Sequence, residues 1–413
     1  MPALILCLLF LFNLCAFADE VDLLIARKNA KYARMDMIFS ETKEIRYNTY
    51  VFDLDDTGKE IIGLLTDAAQ RGVKVKLVID DWEKGLARNP AYLQALQDLG
   101  VEVKVFNPLW KNPIGVNYRN HIKSLIGSQD MIVGGRNTQG HYYKEYIDVE
   151  ARIKGDQVTK AREHFDEVFN SERVRSFTYA GPKRAKEVED AKRLLLDWAK
   201  DARHKVISAK KYPKRHQKVE NLTYHADPPG LKDKRNKGIN KEIIKMIDRA
   251  ENSLDIMNPY VLLTTEERAA IIRARERGVK IRVSTNGAAV TDSKLFGLAW
   301  EIKKNELLAL GVDVHESKQY IHAKTIIRDG QEVFIGSFNL DPRSHNLNLE
   351  NGIFFKNKNL AEELTRHNHR IVKMFTHKLE LKIEEKKMNL KRGARCIRNG
   401  LHSLITAIVY PIL

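Results

Sequence analysis

The chain has 413 residues, which exceeds one ordinary domain and suits two domains of roughly 150–200 residues, each able to bury its own core. Its 70 Lys and Arg residues against 54 Asp and Glu residues give a formal net charge of +16, and this excess favours an anionic partner such as a lipid headgroup surface or a nucleic acid. Cys7 and Cys15 lie in the first apolar segment, so a chain processed after that segment would keep only Cys396. That count excludes an internal disulfide and a cysteine-based metal site.

The first segment is an apolar run over residues 2–18 that ends in Ala16-Phe17-Ala18. A helix that spans a bilayer needs about 20 apolar residues, and a small residue on either side of one position is the pattern of a signal-peptidase site. We interpret residues 1–18 as a cleaved secretory signal peptide, with an uncleaved N-terminal anchor as the alternative because no Lys or Arg precedes the run. The predicted location is therefore exported, either periplasmic or secreted, with association with a membrane as the alternative to a free protein.

The next feature is an internal repeat of a helix, a glycine and a strand. In the first copy, residues 62–69 have the pattern of an amphipathic helix, Gly72 follows, and residues 73–78 alternate as a strand does. The same order returns about 200 residues later in residues 269–274, Gly278 and residues 279–283. A second pair, residues 99–103 and 310–314, continues the match. Strands that alternate with helices in two copies predict an α/β protein of two similar lobes, each a mixed or mostly parallel sheet flanked by helices.

Each copy then carries a His-x-Lys motif at the start of a strand, namely His121 with Lys123 and His322 with Lys324. Residues i and i+2 of a strand point to the same face, so each lobe can present an imidazole and an ammonium together. Cleavage of a phosphodiester without a metal needs cations around the phosphate, a nucleophile and an acid for the leaving oxygen. If the two faces meet, one histidine can attack phosphorus while the other protonates the leaving group.

The same companions follow each motif. A glycine turn with an amide comes first, as Gly134-Gly135-Arg136-Asn137 and Gly336-Ser337-Phe338-Asn339, and a carboxylate stands 14 residues after the first glycine in both copies, as Asp148 and Glu350. Asn137, Asn339 and Ser337 are predicted to bind phosphate, since amide and hydroxyl groups beside a tight turn can donate to its oxygens. Asp148 and Glu350 are predicted to orient the imidazoles and stabilise their protonated forms.

The second motif resembles the HKD signature of the phospholipase D superfamily in His322-Ala323-Lys324 and in the Asp329, Ser337 and Asn339 that follow it. The resemblance covers most of residues 40–378. The chain is also similar to bacterial cardiolipin synthases, C-type members most of all, at residues 335–344, at residues 348–350 and at Gly134-Gly135-Arg136-Asn137. The resemblance implies a monomeric fold of two lobes with the active site at their interface, a phosphohistidine intermediate, phospholipid substrates, and no metal or other cofactor. It also places Asp329 among the motif residues of the catalytic set.

The first copy departs from this signature. Ser128 stands where the second copy has Asp329, and Asp130, two places on, could substitute for the aspartate after a local shift. In the family that this chain resembles, the aspartate is usually structural and does not contact phosphate, so activity is expected to survive. The first lobe is nevertheless where lost or altered activity would originate. Tyr142 and Tyr146, between the glycine turn and Asp148, are interpreted as packing residues.

These observations divide the chain into a first phospholipase D-like lobe at residues 25–178, a helical basic connector at 179–235 and a second such lobe at 236–378. The connector is interpreted as solvated, or as a basic rim that faces substrate. Residues 379–413 are predicted to be a basic helix and an apolar tail that either docks on the protein or lies in a membrane interface.

The predicted function is a phospholipid enzyme that transfers a phosphatidyl group to an alcohol or hydrolyses a headgroup ester, with an anionic phospholipid and a membrane surface as partners. One alternative is a secreted nuclease of the same superfamily, although compact nucleases of that type usually carry one motif and dimerise. Another is a catalytically degenerate protein that binds anionic membranes, which predicts that His121→Ala leaves function intact.

Overall fold

The computed structural model describes residues 19–82, 85–108, 117–179, 181–208, 213–230 and 238–381. The predicted signal peptide at residues 1–18 and residues 382–413 of the predicted tail lie outside this part of the chain. Two mixed β-sheets flanked by helices make up the described fold, which confirms the predicted α/β class and its two similar lobes.

The first sheet has the strand order β8-β4-β3-β2-β5-β6-β7-β1-β9, in which only β2, β3 and β4 run parallel to one another. Its strands are β1 (Glu20–Leu24), β2 (Glu44–Thr49), β3 (Lys74–Asp80), β4 (Val101–Phe106), β5 (Ser124–Ile126), β6 (Asp130–Gly134), β7 (Glu150–Lys154), β8 (Val174–Arg175) and β9 (Gln217–Lys218). The accompanying helices are α1 (Arg27–Ser40), α2 (Asp56–Gln70), α3 (Pro90–Asp98), α4 (His141–Lys144), α5 (Gln157–Phe169) and α6 (Pro182–Ser208), with a 3-10 turn at Leu86–Arg88.

The second sheet has the order β10-β16-β15-β14-β11-β12-β13-β17, again with three parallel strands, β11 to β13. Its strands are β10 (Glu220–Ala226), β11 (Ser253–Met257), β12 (Lys280–Asn286), β13 (Asp313–Ser317), β14 (Thr325–Arg328), β15 (Glu332–Gly336), β16 (Asn351–Lys356) and β17 (Thr376–Lys378). Its helices are α7 (Ile239–Asp248), α8 (Thr265–Glu276), α9 (Lys294–Ala309), α10 (Pro342–Asn346) and α11 (Lys358–Phe375).

The predicted helix-glycine-strand units are present in both lobes. The Asp55 carboxylate caps α2 by accepting from the amides of Thr57 and Gly58 in the first turn, and Thr264 with Glu267 forms a capping box at the start of α8. Both helices end before a glycine with positive φ, +88° at Gly72 and +83° at Gly278. Glycine adopts this conformation without the steric cost of a Cβ, so the chain can reverse directly into β3 and β12.

One apolar core extends across the two sheets. Met131 and Ile153 of the first sheet belong to the same buried cluster as Ile327 and Ile353 of the second. Burying an aliphatic side chain of this size stabilises a fold by about 1.5–3 kcal/mol. The lobes are therefore joined by a shared core, and the interface between them is a fixed part of the fold.

The predicted connector at residues 179–235 is wrong as a separate unit. Helix α6 packs on the first lobe, where Leu195 joins the core beside α2 and Trp198 stacks on Tyr92 with ring centroids 5.5 Å apart. Strand β10 pairs with β16 and so belongs to the second sheet. The physical reason is the apolar side of α6, which is buried on the first lobe while the basic side stays in solvent. Strand β1 likewise extends the first lobe ahead of the predicted start at residue 25.

Candidate active site at the lobe interface

The two His-x-Lys motifs meet where main-chain bonds join the lobes. The His121 amide donates to the carbonyl of Leu349 at 2.9 Å, and the His322 amide donates to the carbonyl of Ile147 at 2.7 Å. Each histidine thus lies beside the segment of the other lobe that immediately precedes the matched carboxylate of the repeat, Asp148 or Glu350. The main chain itself carries each carboxylate across the interface.

The resulting carboxylate–imidazole pairs are exchanged between lobes. Nδ1 of His121 lies 2.9 Å from both carboxylate oxygens of Glu350, and Nδ1 of His322 lies 2.7 Å from Oδ2 of Asp148. A carboxylate at Nδ1 holds the proton on that nitrogen and leaves Nε2 as the reactive atom. The sequence predicted that these carboxylates orient imidazoles; the structure adds that each serves the histidine of the opposite lobe.

Hydroxyl groups fix Glu350 in place. The hydroxyls of Ser337 and Ser344 donate to its two oxygens at 2.5 and 2.7 Å, and the Asn348 side chain donates at 3.3 Å. Ser337 also accepts from the amide of Asn351 and is fully buried. The prediction that Ser337 binds phosphate is therefore wrong in this structure, because its hydroxyl is committed to the carboxylate behind His121.

Asp148 and His322 form the second buried pair. Burial raises the pKa of Asp148, but the adjacent His322 and Arg136 outweigh this effect and hold the pKa below its usual range. Burial, with the Lys324 charge beside it, lowers the pKa of His322 to about 3. The imidazole is thus neutral near pH 7, donates through Nδ1 and presents an unprotonated Nε2, the form that a nucleophile or general base requires.

The two lysines are buried against their own histidines. Nζ of Lys123 donates to the carbonyl of His121, and Nζ of Lys324 donates to the carbonyl of His322, both at 2.6 Å. Nζ of Lys324 also lies 2.9 Å from Nε2 of His322. Burial lowers the pKa of Lys123 well below its usual range and that of Lys324 to about 8. Each lobe thus places a buried lysine beside its own motif histidine.

The two asparagines differ in their partners. The side-chain NH₂ of Asn137 donates to the hydroxyl of Tyr142 at 2.7 Å. The side chain of Asn339 makes no hydrogen bond to any other residue that the structure describes, and its Oδ1 is buried. The main chain of Asn339 bonds to Ser344, which itself bonds to Glu350. An amide without a partner at this place is a suitable donor for a phosphate oxygen, so the phosphate-binding role stays a prediction that Asn339 fits more directly than Asn137.

Aromatic rings surround both imidazoles, which the sequence did not indicate. Tyr142 meets His322 edge to face at 4.8 Å between centroids, and Tyr146 lies parallel to it at 6.5 Å. Tyr50 meets His121 at 5.1 Å. Tyr142 and Tyr146 do pack, as predicted, but against His322, where they limit the positions open to its ring. The one available signal for them was their place between Asn137 and Asp148; Tyr50 had none.

Two strand ends hold the residues that precede the histidines. Asp80, the last residue of β3, accepts from the amide of Asn120 at 2.7 Å, and Asn286, the last residue of β12, accepts from the amide of Ile321 at 2.8 Å. These matched bonds fix the main chain at both motifs. The sequence showed where the strands end, but the bond partner lies in a distant segment in each lobe.

Asp329 does not join the catalytic set, so its assignment as a catalytic residue is wrong. It follows β14 at the end remote from His322, about 16 Å along the strand from Lys324 at about 3.3 Å per residue. Its carboxylate accepts from the amides of Asn252 and Ser253 at 2.7 and 2.9 Å, directly ahead of β11. Asp329 thus braces the turn between two strands.

Glu41 provides the same brace in the first lobe. It accepts from the amides of Thr42 and Lys43 at 2.8 Å, ahead of β2, and from the Ser128 hydroxyl at 3.0 Å. Asp130 does not substitute for the missing aspartate, since it pairs with Arg152 at 2.6 Å. The departure at Ser128 is therefore compensated within the turn and leaves the site at His121 unchanged.

No three His, Cys, Asp or Glu side chains of the described residues are grouped in a way that could hold a metal ion. None of the helices in that part of the chain is both long and apolar enough to cross a membrane.

Comparison with known families gives a match in both lobes. The sequence profile of the family described as "Cardiolipin synthase, PLD-like domain" matches residues 35–172 and 243–372, one segment in each sheet. The chain belongs to this family. The predicted resemblance to the phospholipase D superfamily and its cardiolipin synthase branch is thereby confirmed.

Individual relatives agree with this assignment. The chain is 26% identical to the cardiolipin synthase of Clostridium perfringens over 405 residues, which covers 96% of this chain and 77% of the relative. It is also 26% identical to cardiolipin synthase C of Escherichia coli over 385 residues, 81% of this chain and 80% of the relative. The crystal structure of phosphatidylserine synthase from Haemophilus influenzae superposes with a TM-score of 0.69 at 16% identity and covers 95% of both chains, which shows the common fold.

Proposed function

We propose that the chain is a phosphatidyltransferase or phosphodiesterase that acts on phospholipids through a phosphohistidine. The observation that carries the proposal is the exchanged pair of buried carboxylate–imidazole contacts, Glu350 to His121 and Asp148 to His322. Two oriented imidazoles with two ammonium groups are the nucleophile, acid and cations that a phosphodiester requires.

The proposed reaction has two balanced steps. Nε2 of one histidine forms a bond to phosphorus while the bond from phosphorus to the leaving oxygen breaks, and the second imidazole gives that oxygen its proton. The second imidazole then takes a proton from an acceptor hydroxyl, whose oxygen bonds to phosphorus as the phosphorus–nitrogen bond breaks. Lys123 and Lys324 stabilise the charge on the non-bridging oxygens in both steps. With an alcohol as acceptor the enzyme is a transferase, and with water it is a hydrolase.

The relatives support a phospholipid as the substrate. Two of them are named cardiolipin synthase, and the structural neighbour is a phosphatidylserine synthase. The net charge of +16 suits an anionic phospholipid at a membrane surface. Both motifs lie in one chain and complete each other across the lobe interface, which supports a monomeric enzyme. The proposal includes the exported location predicted from residues 1–18.

The test is to incubate the purified protein separately with phosphatidylglycerol, with phosphatidylethanolamine plus an alcohol, and with DNA, and to identify products by mass spectrometry. Cardiolipin, a transphosphatidylated alcohol or phosphatidic acid is the expected product. DNA cleavage without lipid turnover would support the nuclease alternative instead.

The mechanism is tested by variants and by trapping. His121→Asn and His322→Asn are each expected to abolish turnover, while His315→Asn, which removes a histidine paired with Asp313 outside the site, should not. Mass analysis of peptides from protein quenched during turnover should find a phosphatidyl or phosphoryl adduct on one of the two motif peptides, and so assign the nucleophile. Full activity in both motif variants would contradict the mechanism and support the degenerate alternative.

A further inference from the structure

A cavity of about 650 Å³ lies between the two lobes, away from the catalytic histidines. Its walls come from the β1–α1 segment of the first lobe and from α11 of the second, with Leu23, Arg27, His367, Arg370 and Phe375 among the lining residues. This volume falls within the range of about 300–1,000 Å³ that is usual for small-molecule sites.

The cavity lies behind His322 rather than in front of it. Tyr146 and Asp148 form part of its wall, and Asp148 contacts Nδ1 of His322. The reactive Nε2 is on the opposite edge of the imidazole ring, and neither motif histidine nor motif lysine lines the cavity. A molecule in this cavity would therefore be distinct from the one whose phosphodiester is attacked.

The two repeats differ at the cavity. A histidine of α5 contacts a carbonyl oxygen, whereas the equivalent histidine of α11 lines the cavity and lacks this contact. His164 on α5 and His367 on α11 are equivalent, because the buried positions of the two helices coincide when these residues are aligned. Nε2 of His164 lies 2.8 Å from the carbonyl of Asp227. Nε2 of His367 is buried and has no hydrogen-bond partner in the described chain. The strand registers match Asp227 to Ala26, whose carbonyl accepts from the amide of Ala30 instead.

The charges around His367 favour an anion. Four arginines line the cavity against three carboxylates, and one of these, Asp148, is already paired with His322. The guanidinium of Arg370 makes no hydrogen bond or ion pair with any other described residue. A buried imidazole nitrogen without a partner and an unpaired guanidinium in one cavity are groups that a phosphate would satisfy.

The remaining wall is apolar. Ile371, Met374 and Phe375 continue α11 beyond Arg370, and Leu23 faces them from β1. Met374 is 62% exposed, so an apolar side chain is accessible where it lines the cavity. The site thus combines a cationic end with an apolar side, the two features of a phospholipid.

We propose that this cavity binds an anionic phospholipid that is not turned over, with its phosphate at Arg370 and His367 and an acyl chain along Ile371, Met374 and Phe375. The burial that lowers the pKa of His367 to about 4 keeps the imidazole neutral, so its Nε2–H can donate a hydrogen bond to a phosphate oxygen. The apolar sequence at residues 401–413 is a less suitable occupant, because the basic residues that precede it would meet the arginines of the cavity.

The experiment is hydrogen–deuterium exchange of the full chain, read peptide by peptide, in a His121→Asn background that removes turnover. Short-chain dihexanoyl phosphatidylglycerol is expected to slow exchange over residues 20–30 and 360–375. Arg370→Ala combined with His367→Leu should raise the lipid concentration needed for this protection at least about tenfold, since two charge-assisted contacts to the phosphate are lost. Arg193→Ala combined with His204→Leu, two exposed positions on α6, should leave it unchanged.

Several results would overturn the proposal. Equal protection by inorganic phosphate would show a site for free anions, and protection confined to the peptides around residues 121 and 322 would show that lipid binds only at the catalytic site. Faster exchange over residues 360–375 after deletion of residues 401–413, without lipid, would show that the tail fills the cavity. Because the measurement does not depend on turnover, it stands or fails separately from the proposed enzymatic function.

Discussion

Replacement of Asp148 by Asn tests the exchanged pair most directly. The carboxylate accepts from Nδ1 of His322 at 2.7 Å and from the amide of Val149 at 2.8 Å. An amide has the same shape but can donate through its NH₂, which would hold the proton of His322 on Nε2 and remove the reactive lone pair. In serine proteases the matching change lowers kcat by about 10⁴ for this reason. At 1.36 kcal/mol for each tenfold change, that loss corresponds to about 5.5 kcal/mol of transition-state stabilisation.

The expected effect on the fold is much smaller, because Asn preserves the volume and one acceptor. The free energy of unfolding should fall by about 1–3 kcal/mol, as for the loss of a buried charged hydrogen bond. The assay measures kcat and KM for short-chain phosphatidylglycerol together with urea unfolding of the same samples. Asp130→Asn is the matched control, since Asp130 is a buried carboxylate of the same lobe that pairs with Arg152.

Two results would refute this reasoning. Asp148→Asn with kcat within tenfold of the wild type would show that the carboxylate does not control the His322 tautomer. A double-mutant cycle on stability should give coupling between Asp148 and His322, in the range of about 0.5–3 kcal/mol for contacting residues, and none between Asp148 and His121. Coupling to His121 instead would contradict the exchanged pairing.

Three further predictions follow from the site. Burial lowers the pKa of Lys324 to about 8, so its charge is present below pH 8 and lost above it. The measured kcat/KM should therefore fall as the pH rises through about 8. Lys324→Arg stays charged and should lack this alkaline decline. Glu41→Ala and Asp329→Ala should each lower the free energy of unfolding, measured in urea titrations, by about 1–3 kcal/mol and leave kcat unchanged. The reason is that both carboxylates brace turns outside the site. A loss of kcat in the folded variants would contradict that role. Gly135→Ala would place a Cβ 2.4 Å from Oδ1 of Asp148. We expect this methyl group to displace the carboxylate and to reduce kcat at least about tenfold, while the circular dichroism spectrum stays native. A wild-type kcat would show that the turn adjusts to make room for the methyl group.

The sequence alone determined the repeat and the chemical groups of the site. The helix-glycine-strand units, the His-x-Lys pairs and the carboxylates 14 residues after each glycine turn follow from local spacing, and local spacing depends on bond geometry that every helix and strand shares. That is why the two-lobed α/β fold and His121, Lys123, His322 and Lys324 could be placed in advance.

The sequence did not reveal what compensates for Ser128 or which amides Asp329 braces, because the partners are distant along the chain. Glu41 lies 87 residues before Ser128, and the amides that Asp329 braces lie more than 70 residues before it. A motif read by itself shows which residue type has changed, but it does not show which other segment supplies the missing carboxylate.

Only the tertiary structure decided which carboxylate serves which histidine. Either pairing agrees with the sequence, since Asp148 and Glu350 stand at the same distance from their turns. The choice is made by the shared core and by the main-chain bonds at Ile147 and Leu349, which carry each carboxylate into the opposite lobe. The same packing leaves the cavity at His367 on one side of the interface and a filled contact at His164 on the other, an asymmetry that two similar helix sequences do not reveal.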